Sequence, residues 1–181
     1  MATNIVLSNT EYKVVGTRPI RHDGTDKVTG RAKYGGDFQS AGLLHGKVLR
    51  SPHAHARIKS IDVSKALAYP GVKAVITGQD MPVARMENPS RSARFASDNL
   101  MARDKALYRG HPVAAVAAIS SHVAESALKL IDVVYEVLQP TVDVRVAMKA
   151  GAPLIHEDMT TDELGEQAKT PSNIATHFRY E

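Results

Sequence analysis

Three clusters of side chains in this sequence have the types and spacing that chemistry needs. His53-Ala54-His55 sets two imidazoles two residues apart. On an extended strand, positions i and i+2 share a face, so both rings could reach one ion. His156-Glu157-Asp158 gathers three ligating or proton-transferring groups in a row, and Ser120-Ser121-His122 sets hydroxyls beside an imidazole. Each cluster has a plainer explanation. Zinc sites take three or four ligands, and no third follows the histidine pair at a recognised spacing, so hydrogen-bonded structural histidines are expected. His156-Glu157-Asp158 fits a solvated loop as well as it fits acid–base work. The serines lack the Gly-x-Ser-x-Gly elbow that exposes a nucleophile, and adjacent residues point apart. A helix cap is the better account. Glu125 and Lys129 are i, i+4 partners on a wet helix face, a contribution of only some tenths of a kcal/mol.

The elements that must position these groups are read from the apolar pattern. The chain is organised around residues 103–138, ARDKALYRGHPVAAVAAISSHVAESALKLIDVVYEVL. Residues 112–119 form a continuous run of small and β-branched side chains, the pattern of a strand buried on both faces. Ser120 and Ser121 cap a following helix, with Val123, Ala127, Leu130 and Ile131 on its inner side. Residues 132–137 then alternate as a second strand and stop at Gln139-Pro140. Earlier, residues 43–49 read as a strand closed by Ser51-Pro52. Residues 57–63 read as another, with a bulge near Ser60 that reconciles Ile58, Ile61 and Val63. Ser64 caps a short helix stopped by Pro70-Gly71, and residues 72–77 return as a strand. Strand–helix–strand thus occurs twice, over 57–77 and 112–138.

Residues 1–40 are polar and punctuated by Gly16, Gly24, Gly30, Gly35 and Gly36, an extended arm with turns. GTDKVTG lacks the Gly-Lys-Ser/Thr ending of a phosphate loop. Residues 79–99, with Arg85, Arg91 and Arg94, read as a long irregular loop of the kind that is functional or mobile. After Pro140 a short helix over 144–149 is capped by Asp143 and stopped by Gly151. Residues 156–181 stay polar until IATHFRYE, a strand-like tail that ends in mid-pattern, so a further element is expected beyond it.

Composition narrows the function classes. Of 181 residues, 43% are hydrophobic and 23% charged, the balance of a globular domain with extensions. Aromatics are 5% with no Trp, and the net charge of +4 is scattered, so nucleic-acid binding is not expected. The chain has no Cys, which excludes disulfides, Cys-ligated iron–sulfur clusters and a thiol nucleophile within it. No signal-like start and no membrane span stand out, so a cytoplasmic location is the default, with export alongside a signal-bearing partner left open.

Four runs carry a family resemblance: DKVTGRAKYGGD, RSPHAHARIKSIDVSKALAYPGVKAVITGQDMP, ARDKALYRGHPVAAVAA and VVYEVLQPTVDVRVAMKAGAP. In order and spacing across residues 20–160 they resemble the amino-terminal part of the large, molybdopterin-binding subunit of molybdenum hydroxylases. That is the xanthine dehydrogenase and aldehyde oxidase family, in its α/β hammerhead domain. Within the family, ARDKALYRGHPVAAVAA and AMKAGA look most like hydroxybenzoyl-CoA reductase. The resemblance implies an α+β fold, a small mixed sheet with β-α-β units and packed helices. It implies an N-terminal arm over 1–40, the hammerhead over 41–150, and a C-terminal arm over 151–181 leading toward a molybdopterin-binding domain.

It also implies a role within an oxidoreductase acting on an aromatic, N-heterocyclic or aldehyde substrate. In the family, molybdenum on a pterin dithiolene carries an oxo–hydroxide that attacks an electron-poor carbon, and electrons leave through iron–sulfur clusters and FAD. The reductase relatives run in the opposite direction. The family's pterin-binding loops, the glutamine near the metal and the catalytic glutamate all lie beyond the hammerhead. No residue here is therefore carried over as catalytic, cofactor-binding or metal-ligating, and Glu163 and Glu166 do not fill the gap. The implied partners are a molybdopterin-binding domain or subunit, iron–sulfur and flavin subunits and a small-molecule substrate, with neither nucleic acid nor membrane. By position, Arg94 and Phe95 fall nearest the family's substrate funnel, where a ring would stack on a flat substrate and an Arg would attract a carboxylate or phosphate. The alternative is a free-standing interaction module that keeps the fold without redox chemistry.

Overall fold

The structure, a computed structural model, describes residues 12–81 and 91–180. The chain divides into two compact units, residues 1–41 and 42–181. The described part of the first holds a short helix, α1 (Gly24–Val28), and one 3-10 turn at Gly35–Asp37. Gly30, at φ 73°, takes the left-handed conformation that ends α1 at little steric cost.

The second unit is built on β5 (Pro112–Ala118), the middle strand of an antiparallel sheet with β1 (His45–Arg50) and β3 (Val72–Thr77) at its edges. Both of its faces are largely covered, as the unbroken apolar run requires. Ala114, Val116 and Ala118 point to one side, where α4 (Ser121–Leu128) lays Ala124 and Ala127 against them. Leu49, Val75, Val123 and Ile131 complete that core. Methyl-sized side chains on strand and helix let the backbones approach closely, which is why this core is fixed more by shape than by bulk. A second antiparallel sheet has β2 (Ala56–Asp62) in the middle, between β4 (Lys105–Ala106) and β6 (Asp132–Val137). The bulge expected near Ser60 is present: the β2–β6 register shifts between Ile58 and Ser60.

The fold class is the expected small α+β domain, and the strand–helix–strand order holds. The arrangement differs from one mixed sheet. In both strand–helix–strand segments the two strands enter different sheets, because β5 is already paired on its two edges by β1 and β3 while β6 finds its partner in β2. The helices α2 (Ser64–Leu67) and α4 therefore cross between sheets. Ser120 caps α4, its Oγ accepting from the Val123 N–H at 3.2 Å. The helix ends at Leu128, earlier than expected, and Leu130 and Ile131 reach the core from the turn that follows. Ser64 is not the cap of α2. It is the first residue of the helix, after Val63 at the cap position, and its N–H donates to Asp62 Oδ1 at 2.9 Å. Asp143 caps α5 (Val144–Ala147) through the N–H groups of Arg145 and Val146, as expected.

Two stretches depart further. Part of the expected loop over 79–99 is helical: α3 runs Arg91–Leu100, while residues 82–90 lie outside the described ones. The polar C-terminal stretch is a third sheet, order β8-β7-β9, of β7 (Thr160–Glu163), β8 (Glu166–Pro171) and β9 (Thr176–His177). Leu164 at φ 55° and Gly165 at φ 97° make the two-residue turn between β7 and β8. Among the described residues no helix is long and apolar enough to cross a membrane.

Candidate functional site

The second unit carries two adjoining cavities that α3 helps to line. The larger, about 780 Å³, is mostly apolar: Phe95 from α3, Ala147 from α5, Ile155 and His156, and Met159 and Ile174 around the third sheet. The smaller, about 410 Å³, is lined by charges, with Arg57, Asp98, Arg103, Asp104, Lys105 and Glu157 among them. Ile155 and His156 line both and so form the partition.

The partition is held by its own polar groups. Glu157 Oε1 accepts from Arg57 Nη2 at 2.9 Å and from Lys105 Nζ at 3.2 Å, tying it to β2 and β4. The Lys105 ammonium first, and the Arg57 guanidinium to a smaller extent, hold the Glu157 carboxyl below the usual range. His156 Nδ1 stands 3.6 Å from Asp98 Oδ2 on α3, and its ring lies 6.4 Å from that of Phe95 at a 45° tilt. Asn173 fastens the far side: its Oδ1 accepts from the Ile155 N–H at 3.1 Å, and its Nδ2 donates to the carbonyls of Pro153 and Ala147.

Of the expected site residues, Phe95 lines the larger cavity and is 55% exposed. Arg94 lies on the same helix, but its side chain is outside the described residues. The His156-Glu157-Asp158 cluster sits at the cavities, with Glu157 engaged by two cations rather than poised as a base. His53 and His55 are not on a strand but in the bend before β2. His53 meets Tyr135 edge-on at 5.0 Å. His55 is buried, its Nδ1 donating to the Gln139 carbonyl at 2.9 Å while Nε2 has no partner. Among the described residues, no three His, Asp or Glu side chains converge as a metal site would require. Glu163, Glu166, Ser121, His122, Glu125 and Lys129 are all exposed.

Sequence reasoning missed His111 and Asn173. His111 is fully buried. Its Nδ1 accepts from the Leu107 N–H at 3.1 Å, its Nε2 is 2.9 Å from the Asp98 carbonyl, and Tyr108 stacks on it at 4.5 Å. Burial pushes its pKa down. The available signal was its place at the mouth of the apolar run, where an imidazole needs partners; Asn173, alone in a polar tail, gave none.

The profile described as aldehyde oxidase and xanthine dehydrogenase, a/b hammerhead domain, matches residues 29–139. The chain is 42% identical over 146 residues to the carbon monoxide dehydrogenase large chain of Afipia carboxidovorans, covering 80% of this chain and 18% of that one. It is 41% identical over 150 residues to a probable hypoxanthine oxidase of Escherichia coli, covering 82% and 16%. Among solved structures it resembles quinoline 2-oxidoreductase from Pseudomonas putida 86, with TM-score 0.62, 36% identity and coverage of 78% and 19%. The chain thus spans under a fifth of the length of these relatives. With the hammerhead sequence and a matching backbone both present, this chain belongs to the aldehyde oxidase and xanthine dehydrogenase family of molybdenum oxidoreductases, through its a/b hammerhead domain.

Proposed function

We propose that this chain is the hammerhead part of a molybdenum-dependent oxidoreductase, supporting a molybdopterin-binding polypeptide and walling the approach to its substrate, and inactive alone. The observation that carries the reading is the Phe95 cavity: a half-open, mostly apolar space with an exposed ring. Such a surface can orient a flat molecule and exclude water from it, whereas the bond-making belongs to a cofactor held elsewhere. The residues present do not fit a molybdenum-pterin centre. Among the described residues no three His, Asp or Glu side chains gather, and at the cavities Glu157 is taken up by two cations and Asp162 by the Gly165 N–H. The metal chemistry is assigned to the rest of the large subunit, with iron–sulfur clusters and FAD on further chains or domains.

The cavity supports a flat ring as the substrate class. An aromatic or N-heterocyclic ring suits Phe95, and quinoline 2-oxidoreductase and the probable hypoxanthine oxidase are named for such rings. Val134, Val137, Val142, Val144 and Met148 stay exposed along β6, α5 and the segment between them, which supports a companion polypeptide over a free-standing module. A cytoplasmic location goes with this reading. The test is association: the tagged chain, expressed with a molybdopterin-binding large-subunit polypeptide of the family, is expected to co-elute with it at equal stoichiometry. A chain that stays monomeric beside that polypeptide would contradict the proposal and leave the module reading.

A further inference from the structure

We propose that His111 is the positioning residue for α3, and through α3 for Phe95, and that it does so as a neutral imidazole with its proton on Nε2. The tautomer follows from its two partners. A backbone N–H can only donate, so Nδ1, 3.1 Å from the Leu107 nitrogen, is the acceptor. A carbonyl oxygen can only accept, so Nε2, 2.9 Å from the Asp98 oxygen, carries the hydrogen. One buried ring thereby joins the turn after β4 to the last turn of α3. Asp98 stands one turn beyond Phe95, whose own carbonyl accepts from Asn99 Nδ2 at 2.7 Å. Next to this anchor, the Ala102 N–H donates to the Pro112 carbonyl at 2.7 Å, and Met101 and Ala102 are buried. The helix is therefore fixed at its C-terminal end, with Phe95 a little over one turn back on the cavity side.

A second proton on the ring would turn Nδ1 into a donor facing the Leu107 N–H and break that bond, while Nε2–H would still donate to the Asp98 carbonyl; acid therefore loosens the anchor through openings that expose the ring and let it take up a proton. The groups around the ring set how easily that happens. The Asp98 carboxylate on α3 favours protonation, and His156 on the partition opposes it. Tyr108 stacks on the ring, and Arg50 holds the neighbouring Gly110 carbonyl at 2.9 Å. Burial outweighs the Asp98 carboxylate, so the ring stays neutral. The inference rests on the reading of Phe95 as substrate-facing, but its chemistry concerns this chain alone.

The experiment is residue-resolved hydrogen exchange of the 181-residue chain between pH 8 and pH 5, with imidazole nitrogen shifts recorded on the same samples. The expected ring is Nε2-protonated. Corrected for intrinsic rates, the amides of residues 97–100 and of Leu107 are expected to open faster below about pH 6.5, by up to about tenfold per pH unit, the limit for one coupled proton. His111→Gln, which keeps a donor near the Nε2 position, should leave α3 protected without acid dependence while the Leu107 amide opens. His111→Asn, which keeps an acceptor near Nδ1, should do the reverse. An Nδ1-protonated ring, α3 protection flat across the pH range, or equal loss of it in both variants would overturn the proposal. Where a variant does not fold, the wild-type tautomer and pH profile decide. No partner chain is involved, so failure here is separate from failure of the proposed function.

Discussion

Phe95 and His111 differ in what they are expected to control. In the assembled enzyme, Phe95→Ala removes a stacking surface worth about 0.5–1.5 kcal/mol, so KM should rise about two- to tenfold with kcat little changed. Steady-state kinetics on a flat heterocyclic substrate would check this; unchanged KM would remove Phe95 from the substrate side. His111 acts on stability. Its folded pKa is lowered by burial, so the unfolded chain binds the proton first. The stability tied to its neutral form is complete above about pH 6.5 and is lost as pH falls toward the folded value. The thermal midpoint should therefore drop over that window, and His111→Gln should flatten the change. Gly78 is a third case: a Cβ there would run into the Ala102 carbonyl, so Gly78→Ala should lower the melting temperature by several degrees. At this scale the sequence was only partly legible. Structural roles for His53 and His55 follow from the missing third ligand, but the roles of His111 and Asn173 depend on residues 13 to 26 positions away, which no local pattern encodes.

Element boundaries were most readable where a polar side chain ends a helix. Ser120 and Asp143 cap α4 and α5 as their positions suggest, and each Ala substitution is expected to cost about 1 kcal/mol. Denaturant midpoints would show it; no change for Ser120→Ala would mean the cap bond contributes nothing. The β2 bulge was legible too, because the phase slip of Ile58, Ile61 and Val63 forces an extra residue into the pairing. α3 was hidden by its composition. Serines, arginines and an Asn resemble a loop, while the packing of Met101 and Ala102 behind the helix, together with the His111 anchor, comes from tertiary structure. The third sheet was hidden for a related reason. Thr161 is buried at 3%, but β8 is exposed along most of its length, so the alternation that marks a half-buried strand is weak.

For the molecule as a whole, the antiparallel sheets, the alanine-lined core and the charged partition make a scaffold around a cavity. Val116, fully buried between β5 and α4, tests that core: Val116→Ala should cost on the order of 2 kcal/mol. The fold class was legible because the apolar run of β5 and the helix after it dominate the pattern. Which sheet each strand would join was not, since that choice depends on pairing between residues far apart in the chain. The division of labour, with this chain as wall and a companion polypeptide as metal pocket, is tested most directly by molybdenum analysis of two preparations. One is the homogeneous 181-residue chain; the other is the same chain co-purified with its molybdopterin-binding partner. The account predicts molybdenum and turnover only in the second. Tightly held molybdenum, or turnover, in the first would contradict it.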